Sequence, residues 1–552
     1  MNYFASADRK SLISLLAQNE YDLLIIGGGA TGAGIALDAA SRGMSVALVD
    51  KQDFAAGTSS RSTKLIHGGL RYLKQLEIGL VREVGRERAI VHRLAPHLVV
   101  SEKMLLPLIQ GGTYGKFTTS MGLMVYDVLA GVESAEQRVM LSKEETLAKE
   151  PLLRTDILEG SGLYAEYRTD DARLTLEVLK TAALYQALPV NYVEVTGFLY
   201  KEERVSGAEC RDVLSGESFS IKARQVVNAA GPWVDELRTQ NQSLNEKRLH
   251  LTKGVHIVVP HAKFPVKQSI YFDMPDGRMV FAIPRGKITY IGTTDTDYTG
   301  NKENPRTNLE DVQYLLNGVR HTFPDTRLVL EDVVSSWAGL RPLIHEEGKS
   351  ASELSRKDEI FISPTKLVSI AGGKLTGYRK MAERVVDVVA RRLSKKYQKT
   401  FKKCTTQHII ISGGGFEDPG DVEIFKKSVN DQLEPLGFDR WEADYLVHNY
   451  GQQTDIILDH FLNGEDHSPQ GLLMAELWFG LNFEMVQSAM DFFSRRTGRL
   501  YFDIESVKNL KTPVIQALSQ HLGWDQARIR QEDEWVNQAI EIASRFPENP
   551  KL

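Results

Sequence analysis

The sequence predicts an α/β fold: a Rossmann-like doubly wound domain, a second sheet and a helical C-terminal domain. Three observations carry this. The stretch YDLLIIGGGATGAGIALDAASRGMSVALVD, Tyr21 to Asp50, reads as strand, glycine-rich turn, helix, strand. Short strands (HIVVP, SIYFD, RMVFAIP, KITYIGTTD) dominate residues 250–300, the composition of a separate sheet. Beyond residue 400 the pattern turns helical, as in WEADYLVHNYG and LLMAELWFGLNFEMVQSAMDFFSRR.

The 552 residues exceed what one compact core holds and call for two or three domains. Hydrophobic residues at 42% and charged residues at 25% fit an ordinary globular protein. A net charge of −5 gives no electrostatic case for nucleic acid as a partner. The cysteines, Cys210 and Cys404, have no metal-ligand spacing and read as unpaired thiols in a reducing compartment. Asp8, Arg9, Lys10 and Glu20 interrupt the first twenty residues, so no signal peptide is expected there. No apolar run is long enough for a transmembrane helix.

Along the chain, Leu12, Ile13, Leu15 and Leu16 suit a short amphipathic helix. Leu23 to Ile26 has the length and apolarity of a strand buried on both faces. Residues 75–95 read as helix, and 98–110 and 190–228 as strand-rich. KLVSIAGGKLTGYRKMAERVVDVVARRL, Lys366 to Leu393, is a last strand-then-helix return. The basic run Arg391, Arg392, Lys395, Lys396, Lys399, Lys402 and Lys403 marks a boundary near residue 400. It either closes a solvated helix end or binds anionic lipid at roughly 1 kcal/mol per residue.

Gly27, Gly29 and Gly32 form G-x-G-x-x-G between a strand and a helix, with Asp50 ending the next strand. Gly27 permits the tight turn, Gly29 lets backbone approach a pyrophosphate, and Gly32 allows helix and strand to pack closely. The helix N-terminus offers unpaired N–H groups and partial positive charge to phosphates. Asp50 can accept hydrogen bonds from an adenosine ribose. Two further segments favour FAD over NAD. TSSRSTKLIHGGLRYL, Thr58 to Leu73, lies where a ribityl chain and flavin ring would run; Ser59, Ser60 and Thr63 supply hydroxyls. IAGGKLTGYRKMAE, Ile370 to Glu383, is a second glycine turn opening a helix, with Gly373 and Thr376 as contacts. VNAAGPWVD, Val227 to Asp235, matches a strand-turn beneath an ADP half and adds Gly231.

These stretches, together with TKGVHIVVP, IGTTDTDYTG and GLRPL, resemble FAD-dependent glycerol-3-phosphate dehydrogenase of the aerobic, respiratory type, over nearly the whole chain. The resemblance implies an FAD-binding domain over residues 1–400. An antiparallel-sheet substrate-capping domain is interleaved with it at approximately 80–165 and 240–345, and 401–552 forms the helical C-terminal domain. It implies oxidation of sn-glycerol 3-phosphate to dihydroxyacetone phosphate and delivery of electrons to a membrane quinone. The protein would lie peripherally on the inner, cytoplasmic face of the cell membrane, and a homodimer is left open. Three alternatives stand beside this: an oxygen-using oxidase releasing hydrogen peroxide, an amino-acid or amine oxidase of similar fold, and a flavin-binding protein without turnover.

Hydride removal from C2 needs a phosphate clamp, a proton acceptor and a cation beside the developing alkoxide. Arg71 and Tyr72 are phosphate candidates, as an arginine fork and a phenol donor; an interdomain salt bridge and plain packing are the alternatives. Arg356 is a second phosphate candidate in the family pattern, on a charged loop that is equally compatible with a surface role. Arg341 precedes a proline, and the resemblance implies that it faces the reacting end of the substrate. Lys374 can stabilise charge or act as base, or simply close its turn. His67, before two glycines, has a neutral imidazole at working pH. His67 and Lys374 both remain open as the base, and water is a third route. His256 reads as core or as support behind the site.

Overall fold

The computed structural model describes residues 4–66, 78–113, 137–244, 247–345 and 358–548. Strand Glu20–Ile26 is buried at six of its seven positions, so both of its faces are covered. It runs parallel to Val46–Val49 on one side and to Ser218–Asn228 on the other. Leu188–Val190 and Val368–Ala371 extend the parallel core outward, and Glu359–Ile362 closes one edge antiparallel. The hairpin Val193–Lys201 and Arg204–Asp212 adds to Ser218–Asn228, giving eight strands. Helices Ala30–Ser41, Asp171–Leu184 and Tyr378–Tyr397 pack together beside this sheet. Gly34 makes one of these contacts close: a Cβ there would stand 3.0 Å from Tyr378 and 3.1 Å from Ala382.

The second sheet has ten strands. Leu249–Pro260 lies between Ser335–Ile344 and Ile288–Gly292, both antiparallel. Val100–Ile109 pairs antiparallel with Leu158–Arg168. One junction departs from the expected pattern, because Ser269–Asp273 meets Val100–Ile109 in parallel. The two strands come from separate chain segments rather than from a hairpin, so nothing imposes the antiparallel sense.

The C-terminal helices, among them Asp421–Leu433, Arg440–Tyr450, Pro469–Phe483, Ile504–Leu522 and Gln526–Ser544, enclose two apolar clusters of their own. Buried charge fastens them to helix Asp171–Leu184 beside the first sheet. Arg173 donates to both oxygens of Glu484, at 2.8 and 2.7 Å, and also pairs with Glu177.

A second clamp reaches the cleft described below. Arg496 donates to Asp53 through Nη1 at 2.5 Å and Nη2 at 2.9 Å, and Arg495 adds a third bond to the same carboxylate. Asn191 Nδ2 donates to Asp53 Oδ1 at 3.0 Å. Burial alone would raise the Asp53 pKa, but Arg496 and Arg495 overcome it and hold the carboxyl down at about 2. Asp53 belongs to the loop whose Ala55 N–H donates to Gly28 O at 3.1 Å, so the C-terminal domain braces the glycine turn at one remove. Arg496→Ala is therefore expected to destabilise the fold by about 3 kcal/mol or more, since it strips a buried carboxylate of two bonds. Urea unfolding gives the stability change. Arg496→Lys should rescue only partly, because an ammonium cannot make the paired contact.

Candidate active site

A cavity of about 270 Å³ opens above the ends of the parallel strands. Gly27 and Gly29 form its floor, Asp50 to Gln52 and Ala55 to Ser59 one side, Ala229 to Trp233 another, and Gly372 to Leu375 the far end. This is the crevice in which open α/β sheets bind ligands.

The glycine turn is built as the chemistry requires. Gly27 has φ +112°, and a Cβ there would lie 2.5 Å from Ala229 O. A Cβ on Gly32 would lie 1.9 Å from Gly27 O, so only glycine lets the helix sit on the turn. A Cβ on Gly29 would meet nothing nearer than Ser59 Oγ, at 3.0 Å. Asp50 Oδ2 accepts from Gly28 N at 2.7 Å and Oδ1 from Gln52 N at 2.9 Å. Burial raises the Asp50 pKa to about 6 against these two donors. Gly231, at φ +53°, and Gly373, at φ +88°, hold the opposite walls in conformations that side chains resist. A cleft with a helix N-terminus, small residues in its walls and a partly buried acid beside the turn fits a flavin dinucleotide.

The segment after Gly57 is held from several sides. Thr58 Oγ1 donates to Leu340 O at 2.7 Å. Ser62 N and the buried Lys64 ammonium both bond Asp171, at 2.9 and 2.5 Å. Trp337 Nε1 donates to Ser62 O at 3.1 Å, and Tyr290 OH to Thr63 O at 3.2 Å. A Cβ on Gly339 would stand 2.2 Å from Arg61 O, so strand Ser335–Ile344 runs hard against this segment. That contact carries Arg341 and Pro342 to the cleft, with Pro342 in its wall.

Arg341 is anchored there: Nη1 donates to Thr294 O at 3.1 Å and Asp295 Oδ1 at 2.9 Å, and Nη2 to Thr293 Oγ1 at 3.0 Å. Lys374 lines the far wall, and its Nζ is shielded from solvent.

Of the residues singled out from the sequence, Gly27, Gly29, Asp50, Ser59, Gly231, Gly373 and Lys374 line this one cavity. Gly32 lies beneath it, Thr376 is buried beyond Leu375, and Arg341 adjoins the wall residue Pro342. Ser60 and Thr63 are set back. Ser60 Oγ donates to Gly57 O at 3.5 Å, and Thr63 Oγ1 bonds His256 Nε2 at 3.0 Å. His256 in turn stacks on Trp337 at 4.6 Å between ring centroids. Its burial, reinforced by Arg341 and Lys64, pushes its pKa well below the usual range, so it stays neutral. His67, Arg71, Tyr72 and Arg356 lie outside the described residues.

The structure also adds residues. Lys51 sits over the Trp233 ring at 4.5 Å, and both line the cleft with Tyr378. Trp233 stands within VNAAGPWVD, so its motif pointed at it. The Asp53 clamp carries no local signal.

The fold and this cleft define a dinucleotide-dependent oxidoreductase. Residues 22–368 match the family of FAD dependent oxidoreductases, and residues 404–529 match the C-terminal domain of alpha-glycerophosphate oxidase. An aerobic glycerol-3-phosphate dehydrogenase of Bacillus subtilis (strain 168) is 50% identical over 548 residues, 98% of this chain and 99% of its own. One of Staphylococcus aureus (strain USA300) is 49% identical, covering 99% and 98%. The solved glycerol-3-phosphate dehydrogenase of Bacillus halodurans, complexed with FAD, superposes with a TM-score of 0.85 at 41% identity, over 99% of this chain and 100% of that one. The chain belongs to the aerobic glycerol-3-phosphate dehydrogenase family of FAD-dependent oxidoreductases.

Proposed function

We propose that the enzyme oxidises sn-glycerol 3-phosphate at C2 to dihydroxyacetone phosphate and passes the electrons to a membrane quinone. The observation that carries this reading is the approach of strand Ser335–Ile344 to the cofactor-side segment. It brings Arg341 beside a cleft whose far wall holds Lys374.

FAD supplies the hydride acceptor. Gly27 and Gly29 with the helix N-terminus would receive its pyrophosphate, Gly32 letting the helix pack on the turn, and Asp50 would receive its ribose. Ser59, Gly231 and Gly373 would complete the cofactor's surroundings, with Thr376 behind them, while Ser60 and Thr63 support the segment from outside the cleft. Arg341 faces the C2 oxygen and stabilises negative charge as it develops. Thr293 and Asp295 fix its guanidinium, so little reorganisation accompanies the reaction. The hydroxyl proton leaves to His67 or Lys374. Arg71, Tyr72 and Arg356 hold the phosphate dianion.

Among the described residues no helix is long and apolar enough to cross a membrane. The basic run supports peripheral attachment instead: Arg391, Lys395, Lys396, Lys402 and Lys403 are exposed around the end of helix Tyr378–Tyr397. Lys399 is turned inward to Asp22, at 2.5 Å.

Anaerobic mixing with glycerol 3-phosphate, followed by a soluble quinone, tests the reading. Flavin absorbance should bleach and then recover with quinone. Recovery by oxygen alone, with peroxide formed, would identify an oxidase; a loaded enzyme that does not bleach would exclude this substrate.

The Asp50 pKa gives a second test. Ribose hydroxyls donate to the ionised carboxylate, so protonation competes with cofactor binding. FAD affinity should be level above pH 6 and fall by about tenfold per unit at most below it. Asp50→Asn should bind more weakly and lose this slope in a titration of apoprotein with FAD.

A further inference from the structure

We propose that a second cavity, between the capping sheet and the C-terminal helices, receives the electron acceptor as a planar aromatic dione. This rests on the reading that a quinone reoxidises the enzyme, and it gives that quinone a site. The cavity holds about 260 Å³. Trp337, Tyr501 and Trp535 furnish its aromatic walls, and Arg61 and Gln538 its polar ones.

Its position argues for electron exchange with the cofactor cleft. Arg61 lines this cavity, and Ser62, the next residue, lines the cofactor cleft. Trp337 belongs to the partition: it borders the cavity, and its Nε1 donates to Ser62 O at 3.1 Å. One peptide segment and one indole therefore separate the two spaces.

The lining argues for the ligand class. Trp337 and Tyr501, packed together at 5.5 Å between ring centroids, close the inner end of the cavity, and Trp535 offers the accessible aromatic surface for a flat ring. Arg61 and Gln538 carry N–H donors suited to carbonyl oxygens. A phosphate dianion suits the cavity less well, because Arg495 in its wall is already neutralised by Asp53 and Asp491. Trp535 belongs to helix Gln526–Ser544 and is 37% exposed, with Arg528 over its ring at 4.8 Å. It marks the outer mouth, past which an apolar tail can leave. The transfer balances: two electrons from the reduced cofactor and two protons convert both quinone carbonyls to hydroxyls, and the cofactor returns to its oxidised form.

The test uses the FAD-loaded full chain, a soluble naphthoquinone as probe, and ferricyanide as an acceptor that needs no pocket. Trp535→Ala removes a wall, and Ala539→Phe fills the cavity from a half-buried position on the same helix. Both should lower the ratio of quinone-linked to ferricyanide-linked turnover about tenfold, through the quinone KM. Independently of turnover, the naphthoquinone should quench wild-type tryptophan fluorescence saturably, and Ala539→Phe should weaken that binding to the same degree. If wild type uses the quinone while neither variant changes the ratio or the quench, the site is wrong and the acceptor class stands. If wild type bleaches with glycerol 3-phosphate yet neither binds nor reduces the quinone, the acceptor reading itself fails and this site with it.

Discussion

Gly29→Val is expected to give a folded, colourless protein. Gly29 precedes helix Ala30–Ser41 with extended backbone, φ −80° and ψ −178°, which valine adopts without strain. A Cβ there meets only Ser59, at 3.0 Å to Oγ and 3.9 Å to Cβ. A small shift of one side chain therefore accommodates the substitution in the protein. The branched methyls instead occupy the space beside the helix N-terminus, where a pyrophosphate must approach backbone N–H groups. FAD affinity should fall on the order of 100-fold, about 2.7 kcal/mol, while circular dichroism and the urea midpoint hold. Gly32→Val gives the contrasting outcome: its Cβ would stand 1.9 Å from Gly27 O, so the fold itself should suffer. A yellow, fully loaded Gly29→Val protein would mean that the phosphates do not lie at this turn.

The contrast between these two glycines also shows what can be read from a sequence. Strand, glycine spacing, helix and terminal acid are local, and one βαβ unit satisfies all of them at once; the cleft floor was legible for that reason. Gly373 and Lys374 were legible too, because a second glycine turn opening a helix repeats the same local physics far along the chain. What was hidden depends on long-range pairing. Asp53 and Arg496 are separated by 443 positions, and neither sits in a pattern that announces the other. Thr63 carries a hydroxyl on a segment expected to meet the cofactor, yet the hydroxyl bonds His256, a strand residue 193 positions further along the chain. Hydroxyl chemistry was visible in the sequence, whereas the direction of the side chain was set by a long-range contact with the second sheet. The parallel junction between Val100–Ile109 and Ser269–Asp273 was hidden for the same reason, since strand periodicity specifies faces but not neighbours.

Arg341→Ala is expected to lower kcat by about 10²–10³-fold, the cost of removing one preorganised charge from a developing oxyanion, with FAD fully retained. Retention follows from position: Pro342, not Arg341, is in the cleft wall, and the guanidinium is held by Thr293, Thr294 and Asp295, in the link between two strands of the second sheet. Arg341→Lys should recover little, because a point charge cannot reproduce the planar fork that these partners orient. Gly254→Ala offers a milder version of the same lesion. Its Cβ would stand 2.5 Å from Arg341 Nη2 and 2.6 Å from Thr293 Oγ1, so the guanidinium must be displaced although its charge remains. A loss of roughly tenfold in kcat is expected there, as a misplaced rather than a missing group. Stopped-flow bleaching by glycerol 3-phosphate separates the reductive step from reoxidation and places the loss on hydride removal. If Arg341→Ala instead releases FAD, the residue belongs to the cofactor site. If bleaching stays fast in both variants, charge stabilisation at C2 must come from a group other than Arg341, with Lys374 the next candidate in the cleft wall.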